Sequence, residues 1–382
     1  MKIGIDAHGV GGHSLGAGNE TYFGNLIAAL LELDRKHEYH IFVNHPEAME
    51  NAVRGHANAK LVSLKPRTQW IQRPISLPLY ARRAQLDLVH TPFVRPFFTG
   101  AKTVITVHDA NYELFPDDFT VLERWRMKTL VPPSCRCADK IFTVSEFTKR
   151  ELIAMYDIPE EKITVTYNAA DHLDAVSPVV GHSGVRTFDL PKPFVFFLGT
   201  IQPKKNLIRL VEAFDDVKSR TDLPHHLVVA GPWGWRNAEL NHTLDRLNHR
   251  DKVHFIGHLH PGEVRSLMPQ SDLFVFPSLY ESFGIPPMEA QRLGVPALVS
   301  NTTCFPEIYG DSVAYCNPSS VPDISEQMEH LLRDSRLRGD IAARGRARVR
   351  QYSWRATAQV VLSAYNQLLG VPSNLEEIAL RN

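Results

Sequence analysis

Short apolar segments alternate along this chain with longer segments whose apolar residues recur at helical spacing. Runs such as Phe194–Leu198 and Leu273–Phe276 are continuously apolar, which is typical of parallel strands buried on both faces. The alternation indicates βαβ units, and it begins twice, at Lys2 and again at Phe194. A chain of 382 residues is also too long for one ordinary core. The sequence therefore predicts an α/β protein of two doubly wound, Rossmann-like domains.

The two series of strands are separated by Ser177–Pro193, a segment with several prolines and glycines and few apolar residues in register. We predict a first domain over residues 1–180 and a second domain over residues 190–353. The last long helical pattern is Trp354–Leu369, which begins the C-terminal segment 354–382.

Composition narrows the classes of partner. Lys plus Arg equals Asp plus Glu at 42 each, so the net charge favours neither nucleic acid nor a strongly acidic partner. No apolar run approaches the ~20 residues that a membrane-spanning helix needs, and the first residues lack the apolar stretch of a signal peptide. The four cysteines have no zinc spacing. We expect a cytoplasmic protein with reduced thiols, and attachment to a membrane surface stays open.

Two glutamates, Glu281 and Glu289, bracket a loop and the start of a helix. Pro286 and Pro287 suit the first turn of that helix, where a missing backbone N–H costs nothing. The N-terminus of the helix favours an anionic ligand such as a phosphate. The two carboxylates could accept hydrogen bonds from hydroxyls of a sugar or ribose. The alternative is a pair of solvated surface acids, because glutamate is usually exposed.

Three other strand ends carry residues suited to a ligand. Five glycines lie in Gly9–Gly18, and such a turn before a helix lets the backbone approach a phosphate, although a mobile loop is equally consistent. Lys205 follows the first strand of the second domain and could neutralise a diphosphate, whereas Lys204 is interpreted as a surface residue. His108 ends the run that begins at Thr103 and could be a base, a metal ligand or a structural residue.

The segment Glu281-Ser282-Phe283-Gly284-Ile285-Pro286, with Glu289, resembles the E-x7-E motif of the group 1 glycosyltransferases, the retaining family four enzymes with the GT-B fold. The resemblance covers nearly the whole chain. Further matches are the glycine turn, His108-Asp109, Thr143–Thr148 with Ser145 as a helix N-cap, Tyr167–Asp171, Leu198–Leu207 and Val253–Leu259.

This resemblance implies the GT-B arrangement, in which two Rossmann-like domains face each other across a cleft. The second domain would hold the nucleotide and the first domain the acceptor. The C-terminal helix Trp354–Leu369 would cross back, so that residues 354–382 join the first domain.

The resemblance also implies roles for single residues. Lys205 would meet the donor phosphate in the leaving group, and His108 would contact the transferred sugar without abstracting a proton. Glu281 would hold hydroxyls of that sugar and Glu289 the ribose. The expected catalytic residues are therefore His108, Lys205 and Glu281. The expected donor-binding residues are Gly16, Gly18, Thr200, Gly257, His258, Leu259, Ser282, Phe283, Gly284, Ile285 and Glu289.

Two sequence features bear on how the leaving group is stabilised. Thr200 stands where many members of the family have Arg, which leaves one positive charge fewer beside Lys205. No Asp-x-Asp occurs in the chain, and carboxylates of that kind hold the divalent ion in other glycosyltransferases. We expect the helix N-terminus and Lys205 to take that role, with no metal and no cofactor.

The implied activity is retaining transfer of a hexose from a nucleoside diphosphate sugar. The string Leu198–Leu207 looks most like bacterial mannosyltransferases of O-antigen or exopolysaccharide synthesis, so the expected donor is GDP-mannose. A saccharide or lipid-linked saccharide is the expected acceptor, contacting Gln69–Arg73 and the region of Arg124, Arg126 and Lys128 at the inner face of the membrane. Three alternatives stay open: the same reaction with a UDP- or dTDP-sugar donor, a glycosidase that uses the glutamate pair, and a nucleotide-sugar-binding or epimerising protein. The sequence does not indicate the oligomeric state.

Overall fold

The computed structural model describes residues 1–12, 17–67, 71–177, 188–235 and 237–372. The chain divides into two compact units, one formed by Met1–Asn168 with the segment that begins at Trp354, the other by Ala169–Ser353. Each unit is an α/β domain built around one parallel sheet, as the alternation of apolar segments predicted.

The strands and helices follow one another along the chain. The strands are β1 (Lys2–Asp6), β2 (Glu38–Phe42), β3 (Ala59–Val62), β4 (Leu88–Pro92), β5 (Lys102–Thr106), β6 (Lys140–Thr143), β7 (Ile163–Val165), β8 (Phe194–Leu198), β9 (His226–Ala230), β10 (Val253–Gly257), β11 (Leu273–Phe276), β12 (Ala297–Ser300) and β13 (Ala314–Cys316). Among the described residues the α-helices are α1 (Ala17–Leu33), α2 (Glu50–Val53), α3 (Leu77–Ala84), α4 (Asn111–Leu114), α5 (Val121–Cys137), α6 (Glu146–Tyr156), α7 (Leu207–Arg220), α8 (Ala238–Leu244), α9 (Pro261–Leu267), α10 (Ile285–Arg292), α11 (Phe305–Tyr309), α12 (Val321–Arg333), α13 (Ser335–Val349) and α14 (Trp354–Leu369).

The first unit contains a seven-stranded sheet in the order β3-β2-β1-β4-β5-β6-β7. Every pair of neighbouring strands in it is parallel. Strand β1 lies inside this sheet, between β2 and β4, and is buried from Ile3 to Asp6, as expected for a strand covered on both faces. Helix α6 begins at the predicted N-cap, where the Ser145 hydroxyl accepts a hydrogen bond from the backbone N–H of Thr148.

The second unit contains a six-stranded sheet in the order β10-β9-β8-β11-β12-β13, again with parallel neighbours throughout. Strands β8 and β11 lie side by side at the centre of this sheet. The loops that follow their carboxyl ends are therefore adjacent, which is where ligands of open α/β sheets bind.

Helix α14 has the predicted bounds and belongs to the first unit, where it packs against α1. Trp354, Val361 and Tyr365 are buried on its inner face. The Tyr365 hydroxyl is 2.7 Å from Nδ1 of the buried His90 on β4. The prediction that the C-terminal helix returns to the first domain is confirmed.

Two features differ from the expectations. Strand β3 was not predicted, because it is a short edge strand whose side chains are mostly half-buried and which lacks a long apolar run. The predicted boundary at residues 180–190 lies later in the chain than the start of the second unit at Ala169. The reason is that the Arg265 guanidinium on α9 donates hydrogen bonds to the backbone oxygens of Leu173 and, at 2.8 Å, Asp174.

Candidate active site

In the second unit, the loops after β8 and β11 bring Lys205 and Glu281 together. Lys205 ends a 3₁₀ turn, Pro203–Lys205, and its Nζ forms an ion pair with Glu281 Oε1. The same carboxylate oxygen accepts a hydrogen bond from Ser278 Oγ at 3.0 Å. Two residues predicted to serve one ligand, far apart in sequence, are thus in direct contact.

This ion pair is largely buried. The side chains of Lys205 and Glu281 are only 13% and 11% exposed. Lys205 Nζ also lies 5.1 Å from the centroid of the Phe276 ring, within the range of a cation–π contact. Because little water reaches the pair, its charges are screened less than those of a surface salt bridge.

The turn that carries Lys205 is held by Asn206. This residue has a left-handed backbone with φ of 61°, which asparagine tolerates better than most residues. Its Nδ2 donates hydrogen bonds to the backbone oxygens of Pro277 at 2.9 Å and Pro318 at 2.7 Å. In addition, the Leu279 N–H donates to the Lys204 oxygen at 2.8 Å. The Asn206 side chain and one backbone hydrogen bond therefore connect the loop of Lys205 to the loop of Glu281.

Helix α10 begins at Ile285, four residues after Glu281, with the predicted Pro286 and Pro287 in its first turn. Its N-cap is Gly284, with φ of 81°, and an added Cβ would lie 2.4 Å from Cε1 of Phe305. Only glycine fits this position, so the loop turns sharply into the helix. The N-terminus of the helix, where its dipole is positive, is thus separated from Glu281 along the chain only by Ser282–Gly284.

The second glutamate of the motif has a different partner. Glu289 lies on α10, and its Oε1 is 3.5 Å from Nε2 of His172. His172 belongs to the 3₁₀ segment Asp171–Ala175 at the start of the second unit. The two glutamates therefore occupy separate environments, one beside a lysine and one beside a histidine.

The remaining predicted donor-binding residues of this unit lie on neighbouring loops. Gly257 ends β10 with φ of 76°, and its oxygen accepts a hydrogen bond from Gly231 N–H at 2.8 Å. The side chain of Leu259 is buried, whereas His258 is exposed and its ring meets that of His260 edge to face at 5.2 Å.

Around the motif itself, the buried Phe283 ring packs edge to face against Tyr352 at 6.1 Å, which gives its side chain a structural role. Thr200, Ser282 and Ile285 are half-buried.

In the first unit, His108 lies two residues beyond β5 and is buried. Its ring packs against Tyr22 at 4.9 Å, Phe93 at 5.9 Å and Phe23 at 6.1 Å. Burial lowers the pKa of His108 from 6.5 to about 3, so the imidazole is neutral near pH 7. Its Nε2 has no hydrogen-bond partner within the part of the chain that the structure describes. A neutral, buried imidazole suits contact with a hydroxyl better than proton abstraction.

The glycine turn is only partly described. Gly16 lies outside the described residues. Gly18 is in the first turn of α1, exposed, and an added Cβ there would meet no atom within 4 Å. By contrast, Gly11 has φ of 79°, and its N–H donates to Glu20 Oε1 at 2.7 Å. The backbone conformation at position 11 therefore requires glycine. At position 18 neither the backbone nor a neighbouring atom excludes a side chain.

A cluster of the buried Asp6 and His8 with the half-buried Arg73, at the carboxyl end of β1, was not predicted. His8 Nδ1 is 2.5 Å from Asp6 Oδ1, and Arg73 Nε donates to Asp6 Oδ2 at 3.1 Å. Burial alone would raise the pKa of Asp6, but the Arg73 charge and the hydrogen bonds from His8 bring it well below its usual range. His8 Nε2 is buried and has no hydrogen-bond partner among the described residues.

One signal for this cluster was present in the sequence, namely an acid and a histidine two residues apart just after the first strand. Arg73 could not be added to it, because its position depends on a π-helical turn, Gln72–Ser76, far along the chain. Across the described segments, no three His, Cys, Asp or Glu side chains are grouped so that they could hold a metal ion. Nor is any described helix long and apolar enough to cross a bilayer.

Comparison with known protein families gives two matches that together cover most of the chain. Residues 183–348 match the family described as glycosyl transferases group 1. Residues 16–172 match the family described as glycosyltransferase family 4. Each match falls largely within one of the two structural units.

Among curated proteins, the chain is 29% identical over 271 residues to O-antigen chain mannosyltransferase B of Escherichia coli, which covers 70% of this chain and 71% of that protein. It is 30% identical over 242 residues to the serotype-specific mannosyltransferase WbdA of Escherichia coli. That alignment covers 61% of this chain but only 29% of WbdA, so the chain spans less than a third of that relative.

Solved structures share the architecture. Sucrose-phosphate synthase from Thermosynechococcus elongatus superposes with a TM-score of 0.76 at 17% identity, covering 97% of this chain and 99% of that one. Anabaena Alr3699/HepE in complex with UDP-glucose gives 0.71 at 17% identity, covering 96% and 100%. At these identities the likeness establishes the fold.

Proposed function

We propose that this chain, which belongs to the group 1 glycosyltransferases, transfers mannose from GDP-mannose to a saccharide or lipid-linked saccharide, with retention at the anomeric carbon. The observation that carries this proposal is the Lys205–Glu281 pair beside the N-terminus of α10. It places a cation, a carboxylate and a positive helix end at the carboxyl ends of two adjacent strands.

In the proposed reaction, the diphosphate of the donor binds to Lys205 and the N-terminus of α10. The bond between the anomeric carbon and the phosphate oxygen breaks, and the acceptor hydroxyl oxygen forms its bond on the same face of the sugar. The hydroxyl proton passes to the phosphate oxygen that departs from the anomeric carbon, and GDP is the leaving group. Negative charge builds up on that oxygen in the transition state, so a fixed cation and helix dipole there lower the barrier.

Donor binding would rearrange the ion pair. Without donor, the Lys205 ammonium group is engaged by Glu281. A diphosphate at Lys205 competes for that ammonium group and leaves the carboxylate able to accept hydrogen bonds from hydroxyls of the transferred sugar. Glu289, whose partner is His172, is assigned to the ribose.

The first unit is assigned to the sugar and the acceptor. His108 and His8 follow the carboxyl ends of β5 and β1, and each has a buried Nε2 without a hydrogen-bond partner in the described parts of the chain. Unpaired buried polar atoms are costly, so a hydroxyl that meets them would bind favourably. The open space at Gly18 supports its assignment to a ligand that approaches the backbone closely. The same assignment is retained for Gly16.

The choice of donor rests on relatives. The two E. coli proteins named above are mannosyltransferases, which favours GDP-mannose. The complex of HepE with UDP-glucose makes a UDP-sugar the second candidate. No metal is invoked, because Lys205 and the N-terminus of α10 supply positive charge where a divalent ion would act.

Helix α5 supports an acceptor held at a membrane surface, on the cytoplasmic side. Val121, Leu122 and Trp125 at its start are exposed, with Val121 at 87% and Trp125 at 62%. Arg124 and Lys128 lie on the same helix. Exposed apolar and aromatic residues mixed with basic ones suit the surface of anionic lipids.

A thermal-shift panel with GDP, UDP, dTDP and ADP tests the proposal, because a ligand of the native state raises the unfolding midpoint. We expect GDP to give the largest shift and GDP-mannose to yield a mannosylated product. Lys205→Met should remove the GDP shift, whereas Lys204→Met, the same change one residue earlier, should keep it. A larger shift with UDP would overturn the donor assignment, and equal shifts in both lysine variants would overturn the site.

A further inference from the structure

Trp233 presents a large aromatic surface to solvent in the second unit. Its side chain is 44% exposed, although its ring stacks on Phe255 of β10 with centroids 5.1 Å apart and an interplanar angle of 21°. The Arg250 guanidinium lies 5.7 Å from the centroid of the same Phe255 ring. The indole is therefore supported from within the protein while much of its surface faces water.

The loop that carries Trp233 lies between two segments assigned to the donor. It follows β9, which pairs with β8 on one side and β10 on the other. The Ile201 N–H donates to the Pro232 oxygen at 2.9 Å, and the Gly234 N–H returns to the Ile201 oxygen at 3.0 Å. On the other side, the Gly231 N–H donates to the Gly257 oxygen at 2.8 Å. Trp233 is thus tied to both the loop that leads to Lys205 and the end of β10.

Glycines on both sides fix the course of this loop. Gly231 has φ of 140°, and an added Cβ would lie 1.9 Å from the Gly199 oxygen. At Gly234 an added Cβ would lie 2.7 Å from the Ile201 oxygen. Because neither position can accept a side chain without movement of the backbone, the close approach of the two loops depends on them. Trp233 is held on a rigid support.

We propose that the exposed indole of Trp233 stacks against the nucleobase of the donor, an inference that rests on the proposed function. Its backbone contacts place it beside Gly257–Leu259, the segment assigned to the base edge, and on the path to Lys205, which is assigned to the diphosphate. An indole supported on a phenylalanine ring offers a flat surface that any nucleobase can cover. Trp233 would supply affinity, while the backbone of Gly257–Leu259 would distinguish one base from another.

The test compares binding of GDP and of inorganic pyrophosphate by calorimetry in the wild type and in four variants, of which Lys205→Met reports on the proposed donor site itself. Trp233→Ala should weaken GDP about tenfold, equivalent to about 1.4 kcal/mol, and leave pyrophosphate unchanged, because pyrophosphate has no base. Trp233→Phe should keep GDP affinity within about threefold, since a smaller ring still stacks. Phe98→Ala removes another exposed aromatic ring, in the first unit, and should change neither ligand.

The outcomes separate this inference from the proposed function. GDP that binds equally to wild type and Trp233→Ala, while Lys205→Met abolishes its binding, would overturn the stacking role and leave the donor site standing. An equal loss of pyrophosphate and GDP in Trp233→Ala would also overturn the stacking role, because it would point to a disturbed loop. If wild type bound none of the nucleotides GDP, UDP, dTDP and ADP, both the proposed function and this inference would be wrong.

Discussion

Glu281→Gln should separate donor binding from turnover. The Lys205–Glu281 pair is largely buried, and at an effective permittivity of about 20 two unit charges about 4 Å apart attract by about 4 kcal/mol. A donor diphosphate has to compete with that attraction for Lys205. About a third of this attraction, about 1.4 kcal/mol, is taken to oppose donor binding. Its removal in Glu281→Gln should therefore make GDP bind about tenfold more tightly.

Turnover should change in the opposite direction. A hydrogen bond to a charged group contributes about 1.5–3 kcal/mol, so loss of the carboxylate that holds the sugar hydroxyls should slow mannosyl transfer by about 10- to 100-fold. Calorimetry with GDP and initial rates with GDP-mannose measure the two effects. Glu326→Gln, a change at an exposed position on α12, serves as the matched control and should alter neither.

Weaker binding of GDP to Glu281→Gln would refute the idea that the carboxylate competes with the phosphate for Lys205. Normal turnover would remove Glu281 from the site. A ligand-free unfolding midpoint for each variant separates these effects from a loss of fold.

Further predictions concern stability, metal, lipid and pH. Lys205→Met alone should lower the free energy of unfolding by about 3 kcal/mol, since it leaves the buried Glu281 carboxylate without its cation. The double variant with Glu281→Gln should lose less stability than the two single variants together, and additive losses in denaturant titrations would contradict this. EDTA should leave the transfer rate unchanged, and a strong loss of rate would show that a metal ion is needed. Leu122→Ala with Trp125→Ala should reduce sedimentation with anionic vesicles, and added salt should weaken wild-type binding by screening Arg124 and Lys128. Unchanged binding of the double variant would exclude α5 as the contact. Burial lowers the pKa of His108 to about 3, whereas its ordinary value is 6.5, so between those pH values only the unfolded chain binds the proton and the free energy of unfolding falls as the pH falls. His108→Gln should reduce the slope of the free energy of unfolding against pH by up to about 1.4 kcal/mol per pH unit. An unchanged slope would contradict the burial argument.

The fold could be predicted because its strands are buried on both faces. Four strands of the second unit, β8, β9, β11 and β12, have bounds that follow directly from their apolar runs, and α14 follows from its helical spacing. Strand β3 could not be found in this way, since an edge strand with half-buried side chains leaves little apolar pattern.

For the site, the sequence could place Lys205 and Glu281 at strand ends but could not bring them together. Their contact depends on β8 and β11 being neighbours, which is a matter of strand order and not of local pattern. The same reasoning applies to Arg73 and Asp6, whose contact joins a π-helical turn to the end of β1.

A crystal structure of the chain with GDP would show directly whether the donor diphosphate binds at Lys205. We predict a phosphate oxygen within hydrogen-bond distance of Lys205 Nζ, with the Lys205–Glu281 contact opened and the ribose beside Glu289. GDP bound at another place in the second unit or in the first, with that ion pair intact, would contradict it.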